Sequence, residues 1–190
     1  ATGVGLAEAA RRGVATLAGT LRRIGDYRMI ARFLLAHMLY ADGLNTLFAF
    51  GGIYAAGTFG MAFSEIIVFG IGLNVTAGLG AALFAWADDA VGPKRTVLVS
   101  VAGLAGFGTV LVLIDSVTLF WIFGLGLGVF VGPAQAASRS FMARLAPPHL
   151  RAEMFGLYAL SGKATAFVGP ALLAWATAAA GSQRWGMATI

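Results

Sequence analysis

The sequence contains no cysteine, which rules out disulfides and thiolate metal sites, and its two histidines, His37 and His149, stand too far apart to suggest a ligand pair. Charge is scarce as well: 11% of residues are charged, against about 25% in soluble domains. No His-Glu-x-x-His pattern occurs, and no pair of mid-membrane aspartates and no serine and histidine at comparable depth are expected. Membrane-embedded proteolysis therefore lacks its catalytic set, and no cofactor or metal is expected. The net charge of +5 does not indicate nucleic acid, because the basic residues are spread along the chain and not gathered on a soluble module with interleaved aromatics.

What the sequence has is apolar length. Apolar residues make up 59% of its 190 positions, and the mean hydropathy is +0.84. Runs of about twenty apolar residues, the length that crosses a hydrocarbon core, recur with short polar breaks. They predict spans over Ile30 to Ala56, Ser64 to Trp86, Thr96 to Ile114, Thr118 to Met142 and Glu153 to Ala180. The runs are continuous and do not alternate, so a membrane β-barrel is excluded and the fold class is all-α, a polytopic helix bundle. The lipid bilayer is the first partner. A start at Ala1 and an end shortly after the fifth run read as a piece of a longer protein.

Arg11, Arg12, Arg22, Arg23, Arg28 and Arg32 lead into the first run, Lys94 and Arg95 follow the second, and Arg139, Arg144 and Arg151 surround the fourth break. The opposite connections, "GTFGMAF" and "DSV", hold neither Lys nor Arg. The positive-inside rule then places the leading segment and the second and fourth breaks in the cytoplasm. Residues 1–28 form a basic linker. Ala10, Val14, Leu17, Leu21 and Ile24 recur in it at helical spacing, which fits either an interfacial helix or a solvated segment.

Gly124, Gly128 and Gly132 follow at four-residue steps in the fourth run, as do Gly72, Thr76 and Gly80 in the second. Small residues at that spacing let helix backbones approach closely in lipid. A nucleotide reading of the glycines fails because no strand precedes them. Pro133 and Pro170 each follow a glycine inside a run, where proline frees backbone carbonyls and can kink or break a helix.

The second break reads "AWADDAVGPKRTV". Its Asp89, Gly92 and Lys94 resemble the Asp-Arg-x-Gly-Arg-Lys loop of the major facilitator superfamily. Ala90 and Pro93 replace basic residues there, and Ala85 stands where the leading glycine belongs. With "LYADGLNTLF", "GPAQAASRS" and "FGLYALSGKATAFVGP", the stretch from Arg28 onward resembles the branch of that superfamily related to the autophagy vacuolar effluxer, including bacterial members called unknown major facilitators. The resemblance implies that the five runs are helices seven to eleven of twelve, with the final helix and the N-terminal six-helix half of the same chain missing. It also implies a secondary transporter, in a bacterial inner membrane, that moves a small-molecule substrate such as an amino acid or related metabolite by alternating access. A receptor, a scaffold or a channel is the alternative.

Asp42, Asn45, Thr46, Asn74, Gln135 and Lys163 are the candidate substrate or coupling residues under that reading. Asp88, Asp89, Gly92, Lys94 and Arg139 are candidates for the cytoplasmic loop and gate, and Gly124, Gly128, Gly132, Gly169 and Pro170 for helix packing. Asp42 and Lys163 lie at similar depth, about 15 to 18 Å past the starts of their runs. Each lone charge costs on the order of 2.5 to 3.5 kcal/mol at a helix centre, so an Asp42–Lys163 ion pair is expected.

Overall fold

A computed structural model describes Gly19 and residues 24–190 of the chain. Of the expected interfacial stretch from Ala10 to Ile24, all but Gly19 and Ile24, and so both arginine pairs, lies outside the described residues. A 3-10 turn, Ile24–Tyr27, leads into α1, Arg28–Phe59. Then come α2, Phe63–Val91, α3, Pro93–Leu113, and α4, Val117–Leu145. After a 3-10 turn at Pro148–Leu150 follow α5, Arg151–Ala164, α6, Val168–Ala180, and the short α7, Gln183–Met187. The molecule is all-helical, with five segments long and apolar enough to cross a membrane.

Local sequence explains where the helices stop. Gly60 takes the left-handed conformation at φ 66°, and its N–H and that of Met61 close back on the carbonyls of Ala56 and Ala55. Glu65 in the first turn of α2 accepts from the Ala62 N–H at 2.8 Å. Gly92 at φ 88° turns the chain between α2 and α3, and Pro93 starts α3 where a missing N–H does no harm. α2 runs five residues beyond the expected end at Trp86, because Asp88 and Asp89 stay helical and the Asp88 carbonyl accepts from Gly92.

The fifth expected span is two helices. α5 ends at Ala164 and α6 begins at Val168, with a turn at residues 165–167. Pro170 lies in the first turn of α6, where the absent donor would be unpaired in any case. Pro133, in contrast, sits inside an unbroken α4.

Two packings result. α2 and α3 both lie along α4, while α1 packs on α5, α6 and α7. Two apolar cores tie them together. Leu44, Tyr54, Met61, Leu111, Phe120 and Leu127 fill the end remote from the basic residues. Ile30, Phe33, Leu34, Met142, Met154 and Leu157 fill the basic end.

Candidate functional site

Between the two cores the helices part. α1 contributes His37, Tyr40, Ala41, Leu44, Asn45 and Phe48, which recur at three- and four-residue steps and so share one face. Gln135 and Arg139 face them from α4, as do Phe155, Tyr158 and Lys163 from α5. The hollow they enclose measures about 420 Å³, within the size range of small-ligand sites. A second hollow of about 330 Å³ between α1, α2 and α4 shares Phe48, Gln135 and Arg139 with the first and adds Asn74.

Hydrogen bonds across the first hollow join α1 to its neighbours. Against the expectation that no serine and histidine share a depth, the His37 Nδ1 lies 2.8 Å from the Ser161 hydroxyl, and its ring stacks on Tyr158 with centroids 4.1 Å apart. The Tyr40 hydroxyl meets that of Ser138 on α4. Asn45 donates from Nδ2 to the Gly162 carbonyl at 3.2 Å, and Thr165 donates to the Met38 carbonyl at 3.4 Å. Sequence reasoning missed Tyr40, Tyr158 and Ser161. The available signal was hydroxyl-bearing side chains inside apolar runs, where each needs a partner.

The expected Asp42–Lys163 pair is not formed. Lys163 is exposed on the wall of the hollow, whereas Asp42 is buried and absent from that wall. Asp42 Oδ2 accepts from the Gly169 N–H at 2.8 Å, and Oδ1 meets no donor among the described residues. Gly169 is the second residue of α6, so the carboxylate sits at the positive end of a helix dipole and satisfies an N–H that the break leaves without a helical acceptor. The negative charge within the apolar run therefore caps a broken neighbour. Thr46, one turn further along α1, shares this direction. It is fully buried, donates to the Asp42 carbonyl at 2.8 Å, and does not face the hollow. A Cβ on Gly169 would run into the Thr46 hydroxyl and come within 3.0 Å of Asp42 Oδ2, so glycine is required for α6 to reach α1.

Of the remaining candidates, Asn45 and Gln135 are exposed on the first hollow, and Asn74, on the second, donates to the Gly70 carbonyl of its own helix at 2.8 Å. Asp89 and Lys94 are exposed at the α2–α3 turn, Asp88 is half-buried, and no ion pair links either aspartate to Arg139. Gly124, Gly128 and Gly132 all face α2. Added Cβ atoms there would strike Phe69, Thr76 and the Ala77 carbonyl respectively.

Comparison with known proteins shows the family of the chain. The family described as "Vacuole effluxer Atg22 like" matches residues 6–190. An uncharacterized MFS-type transporter, YxiO of Bacillus subtilis, is 27% identical over 158 residues, covering 83% of this chain and 37% of that protein. Autophagy-related protein 22 of Coccidioides immitis is 25% identical over 175 residues, covering 83% of this chain and 29% of that protein. A gentisate transporter of Corynebacterium glutamicum is 32% identical over 123 residues, or 62% of this chain and 28% of that protein. The chain thus spans well under half the length of these relatives, and no solved structure matches it. With all but its first few residues inside the family match, this multi-pass membrane chain belongs to the Atg22-like family of the major facilitator superfamily, whose members are transporters and not enzymes.

Proposed function

We propose that the chain forms helices seven to eleven of a secondary transporter and carries one wall of its solute site. The observation that supports this best is the polar hollow between α1, α4 and α5, set at mid-depth between two apolar cores and bordered by a span that breaks at residues 165–167. Ligand sites in transporters form where discontinuous helices free polar groups at mid-membrane. Asn45 and Gln135 contact the solute, and Asp42 with Gly169 anchors the break so that α5 and α6 can pivot about it. The basic residues at the α2–α3 and α4–α5 connections face the cytoplasm, with Arg139 near that side, and the membrane is the bacterial cell membrane. The other half of the site comes from the rest of the protein. A relative named as a gentisate transporter makes a small organic solute the natural cargo, with amino acids a further class to screen.

The test is uptake by the full-length protein in proteoliposomes, using labelled small acids and amino acids with and without a pH gradient. Saturable uptake that unlabelled solute on the far side accelerates is expected. Non-saturating flux without exchange would instead make the bundle a channel, and no flux of any solute would leave a receptor or scaffold.

A further inference from the structure

The charges around the two hollows are of one sign. Arg139 and Lys163 line them, and no Asp or Glu among the described residues does. Asp42 is turned away and occupied by Gly169, while Asp88 and Asp89 belong to the α2–α3 turn region. Cations inside membrane spans are costly, and they normally pair or face a wet cavity. Lys163 lies in the last turn of α5, where the helix dipole favours a cation, but that does not direct its side chain into the hollow. Arg139 lies well before the end of α4 at Leu145 and lacks even that support. The walls beside the cations are flat: the stacked His37 and Tyr158 rings, with the Tyr158 hydroxyl hydrogen-bonded to Arg139, and the apolar Phe155 and Phe48. The Asn45 amide donates to Gly162, and Gln135 presents its amide to both hollows.

Resting on the transporter reading of this site, we infer that the hollow binds a small organic anion, whose carboxylate is neutralised by Arg139 and Lys163 and whose apolar body lies against His37, Tyr158 and Phe155. A zwitterionic amino acid fits less well, because its ammonium group would find no carboxylate on these walls.

The experiment uses the purified full-length protein and matched probes: benzoate, benzamide, benzylamine and phenylalanine, with butyrate and butyramide as a pair without a ring. Binding is read by thermal shift and calorimetry. Both carboxylates should bind at least tenfold more tightly than their amides, and benzoate more tightly than benzylamine or phenylalanine. Arg139→Gln and Lys163→Gln should each weaken benzoate binding tenfold or more. If Arg139→Gln does not fold, Lys163→Gln, on an exposed wall, decides alone. The inference is overturned if no carboxylate binds above its amide, if benzylamine or phenylalanine binds as well as benzoate, or if Lys163→Gln leaves benzoate affinity unchanged. Failure of the transporter reading looks different: carboxylates would bind with the stated charge dependence yet never exchange across the vesicle membrane. Saturable exchange of neutral or cationic solutes alone would leave the transporter and remove the anion.

Discussion

The α2–α4 contact and the α1–α6 contact bring helices together in opposite ways. On the α2–α4 side the backbones touch. A Cβ on Gly80 would overlap the Val129 carbonyl, one on Gly132 the Ala77 carbonyl, and one on Gly72 would come within 2.9 Å of Leu125. Pro133, lacking an N–H, leaves the Val129 carbonyl without its usual helical donor, and Gly80 lets α2 close over that freed oxygen. On the α1 side, side chains bridge the gap through Asp42, Asn45, His37 and Thr165, and the glycine at the α1–α6 contact, Gly169, meets side-chain atoms of Thr46 and Asp42 and not backbone. Backbone contact through glycine admits one spacing. Side-chain hydrogen bonds can be broken and remade at different spacings, and in membranes they average only about 0.6 kcal/mol each. The hollow borders the bridged side, where movement is least costly.

The largest effect should come from breaking the glycine side. Gly80→Ala places its methyl group on the Val129 backbone, which cannot turn aside as a long side chain can, and overpacking of this kind costs about 1–3 kcal/mol or more. The expected outcome is a marked loss of folded yield and melting temperature in detergent. Gly70→Ala, on the same helix with nothing within 4 Å, should match or exceed the parent, since alanine favours helix by about 1 kcal/mol. Equal behaviour of the two variants would remove the contrast.

On the bridged side the effect should be intermediate. Asp42→Ala strands the Gly169 N–H at the start of α6, and an unsatisfied buried donor costs about 1–3 kcal/mol. Asp42→Asn keeps an acceptor oxygen and should recover most of that stability, losing only the charge–dipole attraction of roughly 0.3–1 kcal/mol. Thermal unfolding of the two variants decides the point. If asparagine is as harmful as alanine, charge and not the hydrogen bond holds the break. If alanine is harmless, α6 is held by packing alone, and the two sides are more alike than their geometry suggests.

These same residues mark how far the sequence could be read. Helix number and class follow from composition, because only helices satisfy a backbone in lipid. Position along a run is also legible: the 1.5 Å rise sets Asp42 and Lys163 at similar distances past the starts of their runs. Direction around the helix axis was not, since it depends on which neighbour each face meets. Asp42 and Thr46 turn toward α6, while Asn45, one residue away from Thr46, faces the hollow. The Gly169-Pro170 pair signalled a possible break, but the partner that makes the break tolerable comes from a helix more than a hundred residues earlier. No local pattern records that pairing.

The smallest effect is expected where the two sides are tied at the end remote from the basic residues. Arg184 on α7 donates to Asp115 in the α3–α4 connection at 2.5 Å and to the Val112 carbonyl at 3.3 Å. This joins the bridged side to the glycine-packed side, yet the side chains are 30% and 88% exposed, so solvent and salt screen the pair. Exposed ion pairs contribute about 0.2–1 kcal/mol, and the exposure of Asp115 argues for the lower part of that range. Arg184→Gln, Asp115→Asn and the double variant should therefore lie close together in thermal stability, with a coupling energy under ~0.5 kcal/mol that vanishes in high salt. The Val112 bond makes Arg184→Gln the worse of the single variants, because it removes a donor that Asp115→Asn leaves in place. A coupling above ~2 kcal/mol that resists salt would mean that the connection is shielded in the assembled protein and holds the two sides together as firmly as the glycines hold α2 to α4.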